Sequence, residues 1–355
     1  MKTSANRLAA SLVCRLLQSI APAHLKPWIV AIRHELDGIA DDHEALGFAV
    51  HSFFGLAPRI AALRLIQPFA TASGCSELVQ RGAVDQRMLD ELGKRPRAVG
   101  VACAVGAVGL GGAFMLMAGA PAQYLVVNAS ALAIGLLLLS AVNQSAGKVR
   151  LPSGLWTLSM AGLLLATAMF GTQASGAARW IAVSGLHIQP SFIVLPAMLI
   201  GLSYDRSILA TIGIALAAVA IAMQPDRAMA GVLFAGIAVT AAFVRERRTF
   251  LVLAISAAGF VSTLLRSDPL PAAAFVDQIL GFAFNVHIAA GLAITLGLSL
   301  LIVPAVLGWR SDSEHRHIYA TFGAVWAAAI LASALGNYPT PVVGYSGAAV
   351  LGYVL

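Results

Sequence analysis

The sequence predicts an all-α integral membrane protein, with about ten transmembrane helices following a cytoplasmic amphipathic helical region. Three observations predict it. The 355 residues are 59% hydrophobic and only 11% charged, whereas a soluble domain carries ~25% charged residues. Apolar runs of near-spanning length recur from residue 98 to residue 355. Basic residues are dense in alternate connections between those runs, as membrane topology demands. The net charge of +7 lies in short clusters between apolar runs, which is no nucleic-acid surface.

Residues 1–92 stand apart. They hold 9 of the 23 Lys and Arg and 9 of the 16 Asp and Glu. Helical periodicity places Trp28, Ile29, Ile32, Leu36 and Ile39 on one face. This reads as a cytoplasmic set of amphipathic helices able to lie on a membrane. The first apolar stretch is broken by Arg7, Arg15 and Lys26, so it does not read as a signal peptide. The apolar span 48–70 is cut by Pro58, Arg59 and Arg64 and reads poorly as a crossing. His24, His34, His43 and His51 are spaced so that no two share a helical turn, and they read as surface residues. Cys14, Cys75 and Cys103 offer neither a disulfide framework nor a metal-ligand spacing.

The basic knot "GKRPR" (93–97) opens the polytopic domain, 93–355. Apolar runs follow near 98–118, 122–142, 153–171, 190–203, 207–223, 228–244, 249–265, 279–308, 318–335 and 341–355. Most approach the ~20 residues that a helix needs to cross the hydrocarbon. The run 279–308 is long enough to tilt or to extend past the bilayer. With the N-terminus cytoplasmic, the inner connections carry Lys94, Arg95, Arg97, Lys148, Arg150, Arg206, Arg245, Arg247, Arg248, Arg310 and Arg316. The outer ones carry only Arg179, Arg227 and Arg266. That asymmetry is the positive-inside pattern.

On the outer side this topology leaves three carboxylates: Asp226, Asp268 and Asp277. Any acid–base chemistry there that needs a carboxylate must use one of them. The three outer arginines suit a phosphate-bearing ligand. Taken one at a time, the same residues also read as polar loop groups that anchor helix ends.

Four short stretches carry a resemblance. "GAARWIAVSGLHIQPS" (176–191) resembles the outer-loop signature Gly-Ala-Arg-Arg-Trp-Ile then Gln-Pro-Ser-Glu of the SEDS family (shape, elongation, division and sporulation), through Gly176, Ala177, Arg179, Trp180, Ile181, Gln189, Pro190 and Ser191. "QPDRA" (224–228) is similar to the family's Gln-Pro-Asp-Leu-Gly-Thr. "LPAAAFVDQIL" (270–280) resembles Leu-Pro-Glu-x-x-x-Asp-Phe-Ile with one extra residue before the Asp. "TPVVGYSGAAVL" (340–351) resembles the C-terminal Leu-Pro-Phe-Val-Ser-Tyr-Gly-Gly-Ser-Ser, with Pro341, Tyr345 and Gly347 in register. Each is weak alone; the four fall in the expected order and loops. The resemblance covers residues 98–355.

The resemblance implies a peptidoglycan glycosyltransferase of the bacterial cytoplasmic membrane, acting in cell division or cell-shape maintenance. Its substrate would be lipid II, the undecaprenyl-pyrophosphate-linked disaccharide peptide, polymerised on the outer face. Asp277 would be the catalytic carboxylate, accepting a proton from the attacking sugar hydroxyl. Arg179 and Arg266 would face the diphosphate leaving group. Trp180, Gln189, Ser191, Asp226 and Tyr345 would complete the substrate site, although Trp180 reads equally as an interfacial anchor. Mg²⁺ or Mn²⁺ is implied as cofactor, and a class B penicillin-binding protein as partner, with membrane lipid around both.

The sequence also departs from the family pattern. Phe192 stands where the family has Glu, and a family Lys falls in "FIVLPAML" (192–199). The double Arg is Ala178-Arg179, and a Gly-Glu-Glu run is replaced by "GFAFNVH" (281–287). His287 is a lone His on an apolar helix and reads first as structural. Charge is kept inside a bundle where it does work, so its loss leaves two alternatives open: a catalytically silent protein that binds lipid-linked precursor or a transpeptidase, or a lipid flippase.

Overall fold

The computed structural model describes residues 5–21, 25–53, 56, 95–145, 153–174, 176–183, 185–266 and 270–355. Asp268, His24, Cys75 and most of the 48–70 span lie outside the described residues. The chain divides into two compact units, Met1–Leu89 and Asp90–Leu355.

In the first unit, α1 (Ala5–Ile20) and α2 (Lys26–Gly38) are followed by a helical stretch at 42–53. Ala10, Cys14, Leu36, Ala45 and Ala49 form one small core, and Leu17, Ala21, Leu25 and Ile29 a second. Arg7 ties α1 to the end of α2 through the Ile39 carbonyl (2.5 Å) and Asp42 (3.3 Å). Asp41 caps the 42–53 stretch by accepting from the His43 and Glu44 amides, and these bonds hold its carboxyl below the usual range. The expected apolar face is corrected at one position. Ile29 and Leu36 are buried, but Trp28 is 69% exposed, because it lies ~100° around the helix from Ile29.

The second unit is built of α3 (Pro96–Met117), α4 (Ala122–Ser145), α5 (Ser153–Phe170), α6 (Pro190–Tyr204), α7 (Ile208–Met223), α8 (Arg227–Phe243), α9 (Arg247–Leu264), α10 (Ile279–Val286), α11 (Ile288–Leu300), α12 (Val303–Ser311), α13 (Arg316–Leu335) and α14 (Gly347–Val354). Pro96 and Pro190 open α3 and α6, where the missing amide hydrogen costs nothing. Among the described residues, five spans are long and apolar enough to cross a membrane: Pro96–Met117, Ala122–Gln144, Arg247–Leu264, Ile288–Ser311 and Arg316–Leu335. Gly154–Phe170, Pro190–Tyr204, Ile208–Met223 and Arg227–Phe243 are shorter apolar helices. This is an integral membrane protein. Its core gathers Leu164, Leu195, Leu199, Ile214, Leu233 and Trp326.

Several hydroxyls inside these helices satisfy themselves. Thr167, Thr211 and Thr295 donate to carbonyls four residues back, the usual solution where no water is at hand. Ser203, Thr240 and Thr321 also meet across α6, α8 and α13, with Thr240 and Thr321 3.0 Å apart.

Three readings of the sequence change. The run 279–308 is three helices, not one tilted helix. It breaks at His287, whose Nδ1 accepts the Ala289 amide and starts α11. It turns again at Leu301–Ile302, just before Pro304, which cannot donate to a preceding turn. The outer stretch after α5 is no plain loop. It forms β1 (Thr172–Ala174), β2 (Ala177–Val183) and β3 (Leu186–Ile188), an antiparallel sheet in the order β1-β2-β3, with Gly176 and Gly185 at positive φ in its turns. The all-α expectation therefore holds for the bundle and misses this sheet. Last, the run 341–355 is helical only from Gly347.

Residues 336–346 enter the bundle without helical structure, and Thr340–Gly344 are buried. Backbone can leave the helix at such depth only where protein satisfies it. Here Asn128 on α4 donates to the Gly344 carbonyl (2.7 Å) and accepts from the Ser346 amide (3.2 Å). Small residues make the room. A Cβ on Gly111 of α3 would lie 2.2 Å from the Val343 carbonyl oxygen, and one on Gly352 of α14 would lie 1.9 Å from that of Phe192. Phe192 is four residues before Pro196 in α6, so the carbonyl beneath Gly352 is one that proline has freed.

Candidate functional site

The end of the bundle that bears the outer loops holds two polar groups, joined at the start of α8. The first is a buried latch. Asp226 is the N-cap of α8. Its Oδ1 accepts the Met229 amide (3.1 Å) and its Oδ2 accepts the Gln189 side-chain amide (2.8 Å). Arg179, on β2, donates from Nε to the Gln224 carbonyl (3.3 Å) and from Nη2 to the Pro225 carbonyl (2.5 Å). Arg179 is 3% exposed and Asp226 1% exposed. Gln224 in turn donates to the Leu164 carbonyl of α5 (2.8 Å). The latch therefore pins the sheet and the start of α6 to the α7–α8 corner.

Arg179, Arg227 and Arg266 share one physical role. Arg179 serves the carbonyls just past α7. Arg266 donates to Ala222 at the end of α7 (2.9 Å). Arg227 donates to Thr263 in α9 (3.0 Å) and to Arg266 beyond it. The last carbonyls of a helix lack amide partners and carry the negative end of its dipole. Guanidinium groups answer both needs, which explains why arginines sit on a side otherwise poor in basic residues.

The second group surrounds Asp277. Its amide donates to the Ala273 carbonyl (3.0 Å), and its Oδ2 accepts the Ala273 amide (2.8 Å). It also forms an isolated antiparallel bridge with Pro339. Phe275 (φ 62°) and Gln278 (φ 53°) flank it in the left-handed region, which costs ~1–3 kcal/mol per residue and persists only where the surroundings impose it. Here they do. The Phe275 carbonyl accepts the Tyr345 amide (2.8 Å), the Val276 carbonyl accepts the Thr340 amide (2.8 Å), and the Gln278 side chain donates to Asn337 Oδ1 (2.7 Å). Beneath the loop, Phe275 touches the rings of Phe114, Tyr124 and Phe282, and Tyr345 stacks on Tyr124 at 4.0 Å. Asp277 is thus half-buried and held by two chain segments.

Beside this loop opens a cleft of about 490 Å³, lined by Arg227, Gln278, Asn337 and Tyr338 on its polar side and by Phe260, Leu264, Ala332 and Leu335 on its apolar side.

The structure brings Arg179, Gln189 and Asp226 together in the latch and brings Tyr345 to the Asp277 loop. Trp180 is half-buried on β2, where it pairs in register with Thr172. Ser191 is buried at the start of α6, with no hydrogen-bond partner for its hydroxyl among the described residues. Arg266 is exposed and hangs on α7. Sequence reasoning missed Gln278, Asn337, Thr340, Tyr124 and Asn128. Gln278 and Thr340 lay within the quoted motifs; nothing in the sequence marked the others. Among the described residues no three of His, Cys, Asp and Glu converge on a cation site. The described donors around Asp277 are one carboxylate with neutral amides and carbonyls, a set that would hold Mg²⁺ or Mn²⁺ only together with waters and substrate phosphates, so no step of the reaction is routed through a metal.

No protein-family model and no curated protein matches the chain. Among solved structures it is similar to the rod shape determining protein RodA of Thermus thermophilus, at 18% identity and a TM-score of 0.50, over 72% of this chain and 92% of that one. A variant of the same RodA with an aspartate changed to alanine matches over the same shares, at 20% identity and a TM-score of 0.46. The chain has the fold of RodA.

Proposed function

We propose that the chain is a SEDS-type glycosyltransferase that polymerises lipid II on the outer face of the bacterial cytoplasmic membrane, in division or cell-shape maintenance. Ten crossings would put the N-terminus in the cytoplasm and Asp277 outside. The observation that supports this most is the fixed position of Asp277, pinned between the Ala273 amide and Pro339 and adjacent in the chain to Gln278, which lines a cleft. In the reaction, an acceptor sugar hydroxyl attacks the anomeric carbon of the donor and gives its proton to the Asp277 carboxylate. The bond from that carbon to the diphosphate breaks, and the diphosphate leaves with the electron pair. Arg266, exposed and with donors to spare, suits the charge that develops there.

A second reading has its own support. Arg179 and Asp226 are committed to backbone and to Gln189, and Phe192 is buried where the family has Glu. Those features favour a silent SEDS-like protein that binds lipid-linked precursor or a class B penicillin-binding protein.

Purified protein given fluorescent lipid II and a divalent cation decides between them. Polymer from the wild type and none from Asp277→Ala supports the enzyme. Equal polymer from both removes Asp277 as the base. No polymer with any divalent cation, while lipid II or the transpeptidase still binds, supports the silent protein. Lipid transport into liposomes by Asp277→Ala would favour a flippase.

A further inference from the structure

We infer that the cleft between α8, α9 and α13 is a binding site for an anionic phospholipid, with the phosphate at Arg227 and an acyl chain against α9 and α13. The cleft is amphipathic along its length. Phe260 and Leu264 come from α9, Ala332 and Leu335 from α13, and both helices are candidate spans. Leu264 is 51% and Leu335 78% exposed, so the apolar wall opens sideways onto whatever bathes the apolar helices, which is hydrocarbon. Its other end is polar, with a guanidinium, two side-chain amides and the Tyr338 ring.

The charge is of one sign. Arg227 is the charged residue among the described lining, and Arg266 lies just behind it. Arg227 uses Nε and one Nη2 hydrogen on carbonyls of α9 and the residues beyond it. A guanidinium has five N–H donors in a planar fork, so the remaining edge can meet a phosphate. The neighbouring carboxylates are turned to other work: Asp226 to Gln189 and Met229, Asp277 to Ala273. Gln278 and Asn337 bond each other at the polar end, and each has hydrogen-bonding capacity left for a headgroup. The volume of about 490 Å³ falls in the ~300–1,000 Å³ range of small-ligand sites, enough for a headgroup and the start of one chain. This site neighbours Asp277 but does not depend on its catalysing anything.

The test is lipid retention by the full chain. Protein in phosphatidylcholine nanodiscs containing some phosphatidylglycerol is released and its bound lipid counted by native mass spectrometry. Phosphatidylglycerol is expected to remain on the wild type and on Arg227→Lys. It should fall at least tenfold on Arg227→Gln, which removes the fork, and on Ala332→Trp, which fills the apolar wall. Folding of each variant is checked by its melting curve. Should Arg227→Gln not fold, Ala332→Trp decides, and competition on the wild type decides if neither does. Retention unchanged in both variants overturns the proposal. So does equal retention of phosphatidylcholine, which would mean an apolar groove without charge selection. Displacement by inorganic phosphate alone would mean an anion site with no chain groove. Displacement by a polyprenyl phosphate at concentrations where added phosphatidylglycerol fails would assign the cleft to the site of Asp277.

Discussion

Replacing Asp226 with alanine removes both of that residue's anchors in the latch at once. The lost N-cap bond to the Met229 amide costs about 1 kcal/mol. The Gln189 side chain, 6% exposed, then loses the acceptor of its 2.8 Å bond, and a buried amide without a partner costs a further ~1–3 kcal/mol. The expected loss is therefore about 2–4 kcal/mol. At ~2–4 °C per kcal/mol for a unit of this size, Tm falls by about 4–16 °C. Thermal unfolding in detergent, followed by tryptophan fluorescence, reads it directly. Asp226→Asn is the control. It keeps an acceptor for Met229, and its amide can pair with Gln189 once that side chain turns over. It should melt within a few degrees of the wild type. If Asp226→Ala melts with the wild type, the latch does not hold the corner together. If Asn falls as far as Ala, the charge rather than the hydrogen-bond geometry matters, and the reasoning from Gln189 and Met229 fails.

Other outcomes follow from the packing. Gly352→Ala places a Cβ 1.9 Å from the Phe192 carbonyl oxygen; α14 must shift, at a cost of ~1–3 kcal/mol or more, seen as a lower Tm. Thr240→Val removes the hydroxyl 3.0 Å from Thr321 and should cost only ~0.6 kcal/mol, the average for such bonds between membrane helices, so a large Tm drop would show that the three-hydroxyl cluster does more than join helices. Asp312 accepts the His315 amide (3.1 Å), with the His315 ring 3.0 Å away, and these bonds hold its carboxyl below the usual range. A lowered carboxyl stabilises above its unfolded value and loses that contribution as pH falls through the lower, folded one. Between about pH 5 and pH 3 the wild type should therefore lose more Tm than Asp312→Asn; equal losses would remove this link.

Much of the bundle was legible because lipid simplifies the problem. A helix that must bury every backbone group in hydrocarbon needs an unbroken apolar run, and the starts of α3 to α9 fall within a few residues of the runs read from the sequence. The motif residues were legible as a group but not in their separate roles. Arg179 looked like a charge offered to a ligand; it is buried against two carbonyls, because its neighbours on β2 pair with β1 and β3 and bring it to the α7–α8 corner. Arg227, beside Asp226 in the same motif, is the cation that lines the cleft.

Composition and the spacing of apolar runs by themselves determined that this chain is a helical membrane protein and where the polar residues between its helices fall, since transfer into hydrocarbon depends on local sequence. Only the tertiary structure decided how those residues are used. The non-helical entry of 336–346 held by Asn128, the burial of Arg179 at the α7–α8 corner and the pairing of Gln278 with Asn337 all join positions far apart in the chain. Whether a buried carbonyl or amide finds its partner there is settled by contacts that no local stretch contains.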